Sequence, residues 1–335
     1  QKNINQYQID QVGQLDRIEY EVNDTWDSPE IKGEYIFEPA GTNIQKDTTF
    51  AFNVHGFLGY VAGQEKNPVQ LTIERPKHLF GATSLVNTGK GNRDVFTSAN
   101  YQSLVDAPIL YSPADTASIQ FPETNILISV YSPNQKITAE EVAENIRPLL
   151  IAQRNYLGGK LPVKRYAFLI VLSDNLKGGS YGALEHTLSS FYYLPEGNIE
   201  DLGQTIRDVC AHEFFHIVTP LSVHSEEIGN FDFNDPKMSE HLWLYEGLTE
   251  YAAHHMQLKG KLIDADSFFR TIQEKKETNE MQYKQDVAFT TMSKQVLGKY
   301  KDQYANVYEK GALIGFGLDI TLRRLSQGKW NNQLM

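Results

Sequence analysis

Residues 209–218 read VCAHEFFHIV, an apolar run that contains His212, Glu213 and His216. Three ionisable groups in a segment patterned for burial are costly unless they are paired or bound to a metal. Placed on a helix over 204–219, His212 and His216 lie one turn apart on one face. Glu213 then falls about 100° round from His212, close enough to point into the same cleft. This is the H-E-x-x-H order, in which two imidazoles bind one divalent metal and a glutamate stands ready to take a proton from water. Ile206, Val209, Cys210, Phe214, Phe215, Ile217 and Val218 make most of the remaining surface apolar, as a buried helix requires. Cys210 falls roughly opposite His212 and reads as core packing. The plainer reading is two hydrogen-bonded core histidines beside an incidental glutamate. The order and context of the whole motif favour the metal.

A catalytic zinc needs a third protein ligand and an open position. The next histidine, His224, is too far along for the metzincin extension. Asp235 stands where a short-spacer ligand would fall, but FDFNDP reads as a turn with no rigid support. Glu246, in SEHLWLYEGLTEYAAHHM, is the better candidate. Leu242, Glu246, Thr249, Glu250 and Ala253 mark one face of a second helix that ends near Gly260, and precise sites favour rigid elements. Glu250 and Asp208 could each orient a ligating histidine, or be plain surface carboxylates.

These helices need a scaffold. The first third of the chain alternates apolar and polar residues, as in VQLTIERP and TFAFNVHG, and is broken by EPAGTN and NTGKGN. NILISVY (125–131) predicts a strand. ITAEEV predicts a helix start, with Thr138 and Glu141 as a capping box and Ile137 and Val142 as a hydrophobic staple. Pro148 is expected to kink or divide that helix. RYAFLIVL (165–172) predicts a strand buried on both faces, and from about Gln204 the pattern is mainly helical. The expected fold class is α+β. A β domain over 1–122 precedes a domain over 123–335 that combines a small α/β layer with a helical lobe.

At 335 residues and 41% hydrophobic content, the chain can bury the cores of about two domains. A net charge of −11 with no basic run argues against nucleic acid or an anionic membrane as the main partner. The longest apolar run, Tyr166–Leu172, is too short to span a bilayer. The opening QKNINQYQID carries no apolar leader core, although an exported protein after leader removal would look the same. The compartment stays open, with an exported or periplasmic location one expectation. A single cysteine excludes an internal disulfide framework. Nothing in the sequence sets the oligomeric state.

With 29 residues between HEFFH and the glutamate of LWLYEGLTEY, the chain resembles the glycyl aminopeptidases, a gluzincin family with an appended PDZ domain. GGSYGALEHTLSS (178–190) resembles that family's G-G-L-E-H segment, and VYEKGALIGFGLDITLR (307–323) its Y-x-K-G helix. These matches span about residues 125–325. The resemblance implies a thermolysin-like zinc metallopeptidase domain holding one zinc per chain on His212, His216 and Glu246. Glu213 would be the general base. Tyr308 would donate to the developing oxyanion, with Tyr304 as runner-up. Glu185 would hold the free α-amino group of a peptide substrate. Backbone at Gly182 and Ala183 would pair with the extended substrate, and His186 would shape the pocket without chemistry of its own.

There are departures from the family pattern. Ala183 replaces a glycine, and HIVTPLSVHSEEIGNF lacks the usual tryptophan and basic residues. The chain also ends at Met335 before any PDZ domain, which predicts a truncated form. The expected activity is removal of small N-terminal residues, Gly or Ala, from peptides. The alternatives are an endopeptidase with the same zinc centre, or a peptide-binding protein that keeps the metal without turnover.

Overall fold

The computed structural model describes residues 7–10, 12–27, 36–176, 181–229 and 236–329. Its N-terminal region is β-rich. The strands β1 (Asn43–Gln45), β2 (Thr49–Phe52), β4 (Leu79–Ala82) and β6 (Ile109–Pro113) form an antiparallel sheet in the order β1-β2-β6-β4. A separate ribbon pairs β3 (Val69–Glu74) with β5 (Arg93–Ser98), and the short helix α1 (Tyr101–Val105) follows it. The alternation in VQLTIE thus has its expected outcome, with Leu71 buried against Phe96, Leu104 and Ile109.

The second sheet carries the site. It contains β7 (Thr116–Gln120), β8 (Asn125–Tyr131), β9 (Arg165–Ser173), β10 (Gly182–His186) and β11 (Ser189–Pro195), in the order β10-β11-β9-β8-β7. β8, β9 and β11 run parallel, and the two edge strands run antiparallel to their neighbours. The helix α2 (Ala139–Tyr156) makes the crossover from β8 to β9. Its capping box closes as the sequence indicates, and both staple residues, Ile137 and Val142, are fully buried in the same cluster. Pro148 does not divide it. The proline sits on the exposed face, where water can satisfy the Glu144 carbonyl it leaves without a donor, and Val142, Ile146, Leu149 and Leu150 hold the other face in the core.

β9 is buried on both faces because two different layers cover it. Tyr166, Phe168, Ile170 and Leu172 face α2 and the helix α3 (Ile199–Phe215). Ala167, Leu169 and Val171 face Ala51, Ala82 and Leu110 of the N-terminal sheet. This is the near-continuous apolar texture that a doubly covered strand requires.

α3 starts earlier and ends earlier than the sequence suggests. Asn198 precedes it, and Glu200 and Asp201 in its first turn complement the positive end of the helix dipole. His216 caps its C-terminus, and turns carry the chain to Pro220, which cannot extend a helix. The helical lobe then adds α4 (Glu226–Gly229), α5 (Leu242–Lys259), α6 (Ala265–Gln282), α7 (Phe289–Lys294) and α8 (Asn306–Leu325).

α5 and α8 are in backbone contact at two glycines. A Cβ on Gly247 would lie 2.4 Å from the Gly311 Cα, and one on Gly311 would lie 2.8 Å from the Gly247 Cα and the Trp243 carbonyl oxygen. No side chain fits there without separating the helices. Gly317, further along α8, has nothing within 4 Å of an added Cβ. Alanine at the two positions should therefore act with opposite signs in equilibrium denaturation. Gly311→Ala should cost about 1–3 kcal/mol by overpacking, whereas Gly317→Ala should gain up to about 1 kcal/mol from helix propensity. A stabilising Gly311→Ala would show that the crossing has slack.

Candidate metal centre

His212 in the last turn of α3, His216 at its cap and Glu246 in the second turn of α5 converge. His212 Nε2 lies 3.1 Å from His216 Nε2 and 3.1 Å from Glu246 Oε2, and His216 Nε2 lies 3.5 Å from the same oxygen. All three residues are buried. The opposite ring nitrogens are already committed. His212 Nδ1 donates to Glu250 Oε2 at 2.7 Å, and His216 Nδ1 donates to the Thr219 carbonyl at 2.9 Å. A carbonyl oxygen can only accept, so the tautomer that satisfies each ring leaves its Nε2 with a lone pair. Two nitrogen lone pairs and a carboxylate oxygen then face one another in a buried space. Such a donor set suits a cation.

The electrostatics favour a cation there too. Burial alone would lower the His216 imidazole, but Glu246 and Glu185 outweigh it and lift it to about 9. Burial alone would raise Glu246, but His216 and His212 hold it at about 2. Two imidazoles and one carboxylate suit zinc and leave a fourth position for water or substrate.

Behind the ligands lies a charge relay that the sequence did not reveal. Glu250 Oε1 accepts from Lys275 Nζ of α6 at 2.7 Å and from His254 Nε2 at 3.1 Å, while its other oxygen holds His212. Burial would raise the Glu250 carboxyl, but Lys275 and His212 keep it well below the usual range. Glu250 therefore orients a candidate ligand, as one of its two sequence readings proposed. Asp208 does not. Its Oδ1 accepts from Gln257 Nε2 at 2.7 Å and Gln204 Nε2 at 2.9 Å, and both imidazole Nδ1 atoms are taken elsewhere. Asp208 ties α3 to α5. Asp235 lies outside the described residues.

Glu213 is buried, and its Oε2 has no hydrogen-bond partner among the described residues. Burial raises its carboxyl to about 7, against the pull of His212 and His216. The half-buried Glu185 of β10 joins this cluster, with donor atoms of Glu185, Glu213 and His216 all within 4.8 Å of one another. Burial also raises Glu185 above the ordinary carboxyl range. From α8, the Tyr308 ring comes within 5.6 Å of the His212 ring, centroid to centroid. Burial and the Glu246 carboxylate raise its hydroxyl well above the usual value, so it remains a proton donor at neutral pH. Tyr304, hydrogen-bonded to Tyr308, is raised by the same two causes. Cys210 is fully buried in the sheet–helix core, away from the metal face. Gly182 and Ala183 lie on β10 with Glu185, and His186 turns to the other side, where its Nδ1 meets Asp106 Oδ1 at 3.1 Å. Residues 178–180 of the glycine-containing segment lie outside the described residues.

Residues 1–113 match the sequence model of the peptidase M61 N-terminal domain, and residues 205–314 match that of the M61 glycyl aminopeptidase. Among solved structures, an aminopeptidase N family protein from Idiomarina loihiensis is similar at a TM-score of 0.72 and 22% identity, over 85% of this chain and 51% of that one. That likeness concerns the fold, and this chain spans about half the length of that structure. An M1 zinc metallopeptidase from Deinococcus radiodurans (TM-score 0.47, 14% identity, 84% of this chain and 59% of that one) is more distant. So is the native LTA4 hydrolase of yeast (TM-score 0.47, 17% identity, 76% and 38%), and neither bears on the argument. No protein with a curated description matches the sequence.

The two carboxylates read as alternatives for orienting a ligand should separate in a metal competition assay. Glu250→Gln should weaken zinc binding by about 10–100-fold, the usual effect of losing a ligand's hydrogen-bond partner. Asp208→Asn should leave it within about twofold, because Asp208 touches neither imidazole. Equal losses would mean that the Glu250 contact does not hold His212.

Proposed function

We propose that this chain, which belongs to the M61 glycyl aminopeptidase family, is a zinc-dependent aminopeptidase that removes small N-terminal residues from peptides. The observation that carries the reading is the proximity of Glu185 to Glu213 and His216, within 4.8 Å. An α-ammonium group held by Glu185 has its own carbonyl carbon only two bonds away, about 2.5 Å. The next carbonyl along the chain is a further residue away, about 3.8 Å between Cα atoms. Only the first peptide bond can then lie over the base and the metal ligands. A peptide with a free N-terminus is therefore the expected substrate.

His212, His216 and Glu246 would hold one zinc per chain. When bound, zinc polarises the scissile carbonyl and makes water acidic enough to lose a proton near neutral pH. Glu213 is placed to take that proton, since its unpartnered oxygen is buried among the site residues. The same carboxyl, once protonated, can pass the proton to the leaving amine. Charge develops on the carbonyl oxygen as water adds, and the Tyr308 hydroxyl is the donor available to it. Tyr304 holds the Tyr308 hydroxyl through their mutual hydrogen bond. Glu185 binds the ammonium in ground and transition states alike, so it sets position rather than barrier.

Three substitutions separate these roles. Glu213→Gln should retain one zinc per chain by metal analysis yet lose nearly all turnover, because Glu213 is not a ligand. Substantial remaining activity would sink the base assignment. Tyr308→Phe should lower kcat by about 10²–10³ with little change in KM, as for loss of one oxyanion donor. Glu185→Ala should mainly raise KM and reduce the preference for a free over an acetylated N-terminus. Steady-state kinetics on matched free and N-acetyl peptides read both variants, and an unchanged preference in Glu185→Ala would favour an endopeptidase.

A further inference from the structure

Among the described residues β10 is the edge strand of its sheet, with β11 as its one strand partner. An edge strand held by one neighbour is poorly fixed, yet Glu185 must be placed to within a fraction of an ångström to align a scissile bond. Successive side chains of a strand point to opposite faces. Ala183 and Glu185 face the metal helix, with Ala183 packed against the core formed with α3 and Glu185 beside Glu213 and His216. Gly182 and His186 face the N-terminal β region, which grips both ends of the strand. At one end the Phe37 ring sits on Gly182, 2.9 Å from where a Cβ would be.

At the other end, Asp106 closes on the β10–β11 turn. Asp106 follows α1, and its backbone N–H bonds to Gln102 and Leu104 of that helix, so its position is set by the N-terminal region. Its Oδ1 accepts from His186 Nδ1 at 3.1 Å, and its Oδ2 accepts from the Thr187 backbone N–H at 3.0 Å. The Thr187 hydroxyl donates to the same Oδ2. One carboxylate thereby fixes two consecutive residues directly after Glu185. A second histidine, His55 of the N-terminal region, stands near enough to His186 and Asp106 for their charges to act on it.

We propose that the N-terminal β region is a working part of the substrate site, and that Asp106 is its positioning residue, holding the end of β10 so that Glu185 meets the substrate's ammonium group. The proposal rests on Glu185 being the amine anchor. It gives the N-terminal region a kinetic role, which a merely supportive layer would lack. A bound peptide that pairs with β10 by strand addition would depend on the same clamp.

The test uses the full chain loaded with zinc, with glycyl and alanyl arylamides and their N-acetyl counterparts as substrates. Asp106→Asn is expected to raise KM for the free-amine substrate by roughly 10-fold, in the range that misplacement of a reacting group produces. kcat should fall less, and zinc content should stay at one per chain. The preference for free over acetylated substrate should shrink in the same direction as in Glu185→Ala. Thr187→Val should reproduce part of the rise, and Thr187→Ser, which keeps the donor, should restore wild-type KM. A purely structural Asp106 would lower the melting temperature and the yield of folded protein while leaving KM and the preference at wild-type values, and that result overturns the proposal. If Asp106→Asn does not fold, the Thr187 pair decides alone, because Thr187 is exposed. Glu185→Ala with an unchanged preference would overturn the amine anchor and the clamp together. A changed preference in Glu185→Ala with wild-type behaviour at Asp106 and Thr187 would overturn only the clamp.

Discussion

The site depends on two helix backbones touching. At Gly247 and Gly311 there is no room for a side chain between α5 and α8, and the groups that matter lie within a turn of that contact. Glu246 is the neighbour of Gly247, and Tyr308 is three residues before Gly311. The crossing therefore fixes Glu246, the candidate metal ligand, and Tyr308, the proposed oxyanion donor, relative to each other through main chain, the stiffest material available. Side-chain packing alone, with its choice of rotamers, would leave that separation less certain. Glycine within a helix costs up to about 1 kcal/mol relative to alanine, and here the cost secures geometry.

Charge burial is the second constraint. Glu185, Glu213, His212, His216, Glu246 and Glu250 crowd into one volume, and their pKa values move in opposite directions according to their neighbours. Lys275 extends the chain of compensation outward to α6, where its ammonium meets Glu250 at 2.7 Å and Glu309 at 3.8 Å. Removing one member of such a network strands a charge rather than deleting a contact. His212 on one side and the lysine on the other thus hold Glu250 ionised, and an ionised Glu250 keeps the His212 Nδ1 proton in place.

Much of this was legible in the sequence where chemistry or periodicity left a local mark. His212 and His216 could be placed on one helix face from their spacing, with Glu213 about 100° round and pointing into the same cleft. The capping box at Thr138 and Glu141 and the double burial of residues 165–172 were equally local. What escaped reading depended on residues far apart in sequence. Asp208 was open to two readings, a partner for a histidine or a plain surface carboxylate, and Gln257, one of the buried residues of α5, claims it instead. Lys275 sits in a charged stretch, TIQEKKETNE, and becomes a buried partner of Glu250 where α6 packs beside α5 and α8. Pro148 was expected to kink or divide its helix, and α2 runs undivided through it because the opposite face is buried. The helix end at His216 came earlier than the expected run to residue 219, and the Thr219 carbonyl freed by that ending is what His216 uses.

β9 has no face of its own. One side belongs to the helices and the other to the N-terminal sheet, through Leu169 and Val171 against Ala51, Ala82 and Leu110. Two regions that look separate along the chain therefore share a single strand as common property. Peeling the N-terminal sheet away would wet Phe191 and Tyr193 as well, and the layer that carries the candidate site would meet water along the middle of its own sheet. With one strand held in common, the expectation is that the two regions melt as one.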